Sequence, residues 1–149
     1  PIHTLDRPNA VRATEARVEA ELAGVADNEV LGSRLRALRR RELVRIAWRD
    51  LAGWAPLEET LRDLSDLADA CVRGALERLF AWQARRLGTP RRRDGTTQSL
   101  VVLGMGKLGA HELNFSSDID LIFVYGGPGL VKRLMHGLRP VPAAAVEAS

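Results

Sequence analysis

The chain lacks most of what a secreted or membrane-inserted protein needs. Its one cysteine, Cys71, cannot close an intramolecular disulfide or build a cysteine-based metal cage, so a reducing, cytoplasmic compartment is expected. No apolar run approaches the roughly 20 residues that cross a bilayer, and acidic residues are spread through the first 30 positions. Neither a membrane helix nor a signal peptide is predicted. Aromatic residues make up 5% of the chain, so side chains able to stack on bases beside the basic patches are few. The three histidines, His3, His111 and His136, share no metal-ligand spacing, which argues against a zinc site.

What is present is enough for one ordinary core: 149 residues, 46% of them hydrophobic and 28% charged. The net charge of +3 is distributed in blocks, with −3 over residues 1–30, +5 over 31–50, −4 over 51–70, +5 over 71–99, −2 over 100–125 and +2 over 126–149. Such blocks neutralise one another if neighbouring helices pack side by side, so the basic excess does not call for a polyanionic partner. The triplets Arg39-Arg40-Arg41 and Arg91-Arg92-Arg93 are expected to be solvated faces. An Arg-rich nucleic-acid binder and a non-catalytic helical interaction fragment remain the rival classes. The start at Pro1 and the aromatic-free last 24 residues are what a piece of a longer protein would show.

Helical spacing dominates the first hundred residues. Val11, Val18, Leu22 and Val25 predict a short amphipathic helix from Asn9 to Gly24. A second helix is expected from an N-cap at Gly32-Ser33 to Gly53, with Leu35, Leu38, Leu43, Ile46, Ala47 and Leu51 recurring at helical spacing. Its outer side would carry Arg34, Arg36, Arg39, Arg40, Arg41, Arg45 and Arg49. A third follows Pro56, with a stripe through Leu57, Leu61, Leu64, Ala68, Cys71, Ala75, Leu79 and Trp82, and stops at Gly88 and Pro90. Cys71 sits on that stripe and reads as a small core residue. Residues 91–98 read as a solvated loop. Two β-rich runs, Leu100–Leu103 and Ile119–Tyr125, come only afterwards.

Between those runs stand Gly104, Gly106 and Gly109, matching the G-x-G-x-x-G of dinucleotide-binding folds. The spacing argues against that reading. Only nine residues separate Gly109 from the next apolar run, too few for a crossover helix, and the acids open that run instead of closing it. No Gly-Lys-Ser/Thr is present for a Walker loop. The acids themselves are more informative. Asp118 and Asp120, two apart on extended backbone, project from one face, and two carboxylates so close repel unless a cation joins them. Hard oxygen ligands with positions left for water and phosphate oxygens suit Mg²⁺, and such ions promote displacement at phosphorus. Glycines beside them let backbone N–H groups approach phosphate, with Lys107, Ser116 and Ser117 as further donors.

Gly106, eleven residues, then Asp118-x-Asp120 entering a strand form the G-x₁₁-D-x-D pattern of polymerase-β-type nucleotidyltransferases. Residues 104–125 (GMGKLGAHELNFSSDIDLIFVY), 39–51 (RRRELVRIAWRDL) and 57–71 (LEETLRDLSDLADAC) resemble the family of bifunctional glutamine synthetase adenylyltransferases/adenylyl-removing enzymes. The Leu-Asn-Phe-Ser-Ser before Asp118 looks like that family's amino-terminal, adenylyl-removing half. The resemblance implies phosphorolysis of AMP from a tyrosine of glutamine synthetase: a phosphate oxygen attacks the AMP phosphorus, the tyrosine oxygen leaves, and ADP is released. The full-length protein would also attach AMP from ATP. Carried over by position, Asp118 and Asp120 would be catalytic and hold Mg²⁺, Gly106 and Ser117 would border the nucleotide phosphates, and a PII-type signalling protein would be a partner.

The expected fold class is therefore α+β: a helical region over 1–90, then the first strands of a polymerase-β-type nucleotidyltransferase domain over 99–125, truncated. Residues 126–149 read as a divergent, disordered tail, with Leu130, Val131, Leu134, Met135 and Leu138 able to form a short helix. That type of site needs a third carboxylate on a later strand, and the tail holds one acid, Glu147. A frame change or truncated gene product, with the site but without turnover, is the expectation. The strands' apolar faces would then need cover from the helices.

Overall fold

A computed structural model describes residues 11–92 and 94–124; the predicted tail 126–149, His3, His136 and Arg93 lie outside the described residues. The architecture is helix-rich with a small two-stranded antiparallel sheet, an α+β arrangement. Two compact units are formed. The first takes the described residues up to Leu79 together with Leu103–Ile122, and the second takes Phe80–Val102 with Phe123 and Val124.

The first unit contains α1 (Val11–Leu22), α2 (Asn28–Leu51) and most of α3 (Leu57–Leu87). Helix α2 starts five residues before the expected Ser33. Asp27, in extended conformation, accepts the Val30 amide at 2.9 Å, and Glu29 adds a negative charge in the first turn. With the amino terminus capped there, Ser33 is an ordinary helical residue whose hydroxyl donates to the Val30 carbonyl. Helix α3 begins as predicted after Pro56, whose carbonyl accepts from the Glu59 and Thr60 amides, and ends at Leu87 before Gly88.

The most buried line of α3 runs through Thr60, Asp63, Leu64, Leu67, Ala70 and Gly74, rotated from the expected stripe, and Leu57 is exposed. Ion pairs to α2 lie along this line. Arg45 and Arg49, expected on the solvent face of α2, lie against α3 instead. Arg45 bridges Glu42 at 2.9 Å and Asp63 at 2.8 Å, while Arg49, 2% exposed, pairs with Glu59 at 2.6 Å. Thr60 Oγ1 donates to Asp50. Two ion pairs, Arg45–Asp63 and Arg49–Glu59, thus join the basic 31–50 block to the acidic 51–70 block. Breaking one such pair is costly because the remaining charge is left desolvated.

Helix α1 crosses α3 at Gly74, where an added Cβ would fall 2.8 Å from Val18 Cγ1 and 3.0 Å from Leu22 Cδ1. Arg73–Glu15 and Arg78–Glu19 pairs flank the crossing. Next to it lies the core cluster that concerns the site. Ile46 of α2 and Leu64 and Leu67 of α3 bury Leu108 and Leu113, with Leu43, Ala68, Cys71 and Leu121 packed around them. Burying each leucine contributes about 2 kcal/mol, so the segment between the two strands is seated on the helices.

The second unit holds the end of α3 and a tight turn. Residues 91–98, read as a loop, close through an Arg91–Thr97 bridge. The Arg92 amide donates to the Thr96 carbonyl, and Asp94 Oδ1 accepts from both the Thr96 amide and hydroxyl. Arg91 and Arg92 are exposed as expected, whereas Gln98 is buried. Strands β1 (Val101–Gly104) and β2 (Leu121–Val124) form the sheet, and the division between the units falls within both strands. In the first unit the helices cover Leu121, while Leu103 and Ile122 stay exposed, so the expected cover of the strands is incomplete.

Candidate functional site

All seven predicted site residues lie in the first unit, between the end of β1 and the start of β2. Gly104 closes β1, Met105 follows in extended conformation, and one helical turn, α4 (Gly106–Gly109), comes next. Each glycine is required for a different reason. A Cβ on Gly104 would press on the Leu108 side chain at 3.0 Å, and one on Gly109 would lie 2.6 Å from the Gly104 carbonyl oxygen. Gly106 has φ +54 and nothing within 4 Å of its Cβ position. Two of the three glycines are thus packed against the protein itself. Gly106 alone of the three leaves its backbone open, and it is the glycine of the G-x₁₁-D-x-D spacing.

Leu108 is buried and Lys107 exposed. The turn then reverses at His111, a non-glycine residue at φ 57. Its Nδ1 lies 3.8 Å from Asp66 Oδ1 and its Nε2 4.0 Å from Asp69 Oδ2. His111 is exposed, as expected, but faces two carboxylates of α3. Burial raises the Asp66 carboxyl above its ordinary pKa, with Asp63 and Asp69 adding to the rise and His111 and Arg62 opposing it.

Beyond Leu113, Asn114 organises the approach to the carboxylates. Its Oδ1 accepts from the Ser116 amide and hydroxyl at 3.2 Å each and from the Ser117 hydroxyl at 2.6 Å. Its amide donates to Ser117 Oγ at 3.2 Å. Ser116 and Ser117, expected as phosphate donors, hydrogen-bond within the turn in this structure. The Asn-x-Ser-Ser order carries the local signal for such an Asx-type turn, and Asn114 is a turn-organising residue beyond those expected.

Asp118 and Asp120 follow outside any helix or strand and are exposed; they stand just before β2, whereas the β-rich run was expected to open at Ile119. The Asp120 carbonyl accepts the Met105 amide at 2.9 Å, which sets the carboxylate pair beside the entrance to the Gly106 turn. Neither carboxylate has a salt-bridge partner among the described residues. No group of three or more His, Cys, Asp and Glu able to hold a metal occurs among them either.

A cavity of about 270 Å³ adjoins this segment. It is lined by apolar residues of α2 and α3, Cys71 among them, and by Arg39, Asn114, Phe115, Ser117 and Asp118. Burial drives the Cys71 thiol up to about 11, with Arg39 opposing and Glu42 adding, so the thiol is a packing group and not a nucleophile at neutral pH.

An open glycine turn beside two exposed carboxylates, seated on a helical layer, defines an α+β protein with a compact polar site at the edge of its sheet. The chain belongs to the glutamate-ammonia ligase adenylyltransferase family, whose model matches residues 2–145. It is 52% identical over 126 residues to the bifunctional glutamine synthetase adenylyltransferase/adenylyl-removing enzyme of Thioalkalivibrio sulfidiphilus, covering 85% of this chain and 13% of that protein. It is 56% identical over 110 residues to the enzyme of the same description from Nitrosococcus oceani (73% and 11%). The corresponding figures for that of Pseudomonas aeruginosa are 54% over 122 residues (81% and 12%). The chain thus spans about an eighth of the length of the curated relatives it matches. Among the described residues, no helix is long and apolar enough to cross a membrane.

Proposed function

We propose that these residues form part of a Mg²⁺-dependent, polymerase-β-type nucleotidyl-transfer site that removes AMP from a tyrosine of glutamine synthetase by phosphorolysis, yielding ADP. The observation that carries this reading is the open Gly106 turn tied to the exposed Asp118–Asp120 pair through the Met105–Asp120 hydrogen bond. Family membership supports it.

The donor set fits Mg²⁺ as two of its ligands. Asp118 and Asp120 offer hard carboxylate oxygens, and their exposure leaves the other positions to water and phosphate oxygens. When bound there, the ion would neutralise charge on the phosphate oxygens as the bond to phosphorus is exchanged. The chain's own residues do the rest. Gly106, with no Cβ, lets a phosphate oxygen approach the backbone, and exposed Lys107 adds positive charge nearby. Ser117, held to Asn114, borders the same phosphates and keeps the turn in front of Asp118 fixed. With two carboxylates in place, these residues by themselves supply binding more readily than turnover. Glutamine synthetase, ADP and phosphate, and ATP and a PII-type signalling protein for the whole enzyme, are the proposed partners on the strength of the family resemblance.

The test is ADP binding to this chain with and without Mg²⁺, followed by calorimetry. Binding that requires Mg²⁺ and disappears in Asp118→Asn with Asp120→Asn is expected. ADP binding indifferent to both substitutions, or absent with Mg²⁺ present, refutes the proposal.

A further inference from the structure

The segment that carries the candidate residues meets the helices at few points among the described residues. Leu108 and Leu113 are buried, but apolar burial is non-directional and fixes depth more than orientation. His111 reaches Asp66 and Asp69 only at 3.8 and 4.0 Å from an exposed position. One contact is both buried and directional: the Leu113 amide donates to Ser65 Oγ at 3.1 Å. Ser65, in the middle of α3, is 0% exposed. Its own proton goes to the Leu61 carbonyl at 2.9 Å, which leaves the hydroxyl oxygen as an acceptor for Leu113.

Leu113 is also where the hydrogen-bonded part of the approach begins. From there the Asn114 side chain holds Ser116 and Ser117 through three accepted hydrogen bonds, and Asp118 is the next residue. A peptide plane fixed at Leu113 is therefore transmitted through a clamped turn to the first carboxylate. We propose that Ser65 is a positioning residue for the two-carboxylate site, setting the direction of Asp118 through the Leu113 amide. This inference rests on the metal-binding reading of Asp118 and Asp120 given above. It makes the helical layer part of the site's machinery, because a hydroxyl 48 positions upstream of Leu113 governs the carboxylate geometry.

The experiment uses the 149-residue chain with Mn²⁺ alone as probe, following paramagnetic broadening of the backbone amide signals of Asp118 and Asp120. In Ser65→Ala the Mn²⁺ concentration giving half-maximal broadening is expected to rise about fivefold, below the roughly tenfold or more that partners bonded directly to metal ligands contribute, because Ser65 acts through Leu113. Val18→Ala, at the α1–α3 crossing, serves as the control: it lowers the unfolding midpoint and leaves the Mn²⁺ response unchanged. Ser65→Cys keeps a weak acceptor of similar size, is expected to fall between parent and Ser65→Ala, and decides the matter if the alanine variant does not fold. A parent response that is lost in Asp118→Asn but stays within about twofold in the Ser65 variants overturns the Ser65 role and leaves the site standing. No parent response at Asp118 and Asp120 overturns the site reading, and this inference with it.

Discussion

Replacing Gly109 by alanine puts a methyl group where the structure has a carbonyl. The new Cβ would lie 2.6 Å from Gly104 O and 3.4 Å from Gly104 C, against a practical limit of 3.0 Å. Backbone, unlike the end of a long side chain, cannot swing aside, so Gly104 and the Gly109 turn must separate by several tenths of an ångström. The peptide that follows Gly104 carries the Met105 amide, which holds the Asp120 carbonyl at 2.9 Å. Separation therefore strains the contact that sets the carboxylate pair beside the glycine turn. Overpacking of this kind costs about 1–3 kcal/mol, and the better helix propensity of alanine offsets at most about 1 kcal/mol. A net loss of about 1–2 kcal/mol is expected in urea unfolding followed by circular dichroism, with changes in the Met105 and Asp120 amide chemical shifts. Gly106→Ala is the comparison. It meets no atom within 4 Å and pays only for its φ of +54, about 1 kcal/mol, without disturbing the Met105–Asp120 contact. If Gly109→Ala is as stable as the parent to within about 0.5 kcal/mol and those two amides do not move, the close approach is not a constraint and the reasoning fails.

Asp63→Asn removes one of the two carboxylates that Arg45 bridges and leaves Glu42 in place; a loss of about 1.5–3 kcal/mol is expected from denaturant unfolding, and a loss below about 0.5 kcal/mol would show the pair to be solvated in solution. Cys71 should resist alkylation. Its pKa is raised from an ordinary 9.0 to about 11, so at pH 8 the folded chain should react with iodoacetamide on the order of a hundredfold more slowly than the urea-unfolded chain. Rates within about tenfold of each other would contradict the burial of the thiol. The same shift fixes a sign: the folded state favours the neutral thiol, so its contribution to stability is complete below pH 9.0 and is lost as pH rises toward about 11.

Local signals told most about the helices and the turn. Three- and four-residue spacing marked α1, α2 and α3, Pro56 and Gly88 bracketed the third, and the glycine–aspartate spacing located the candidate site, because each of these depends on chain neighbours within a turn or two. Asn114 was legible in principle, since an Asx-type turn is a local pattern. Ser65 was not. A serine within a helix has no local feature that says its hydroxyl will meet an amide 48 residues away.

The same division separates what the sequence determined alone from what tertiary structure decided. Periodicity, capping residues and the order of glycines and aspartates determined the elements and the chemistry on offer. Which face of α2 is buried was decided by packing. Arg45 and Arg49 look like solvent-facing charges until α3 brings Asp63 and Glu59 against them. The roles of the three glycines were likewise decided only when Leu108 and the Gly104 carbonyl closed on two of them and left Gly106 open. A side chain's cost of burial depends on which partner it meets, and partners distant in sequence are set by how the helices pack.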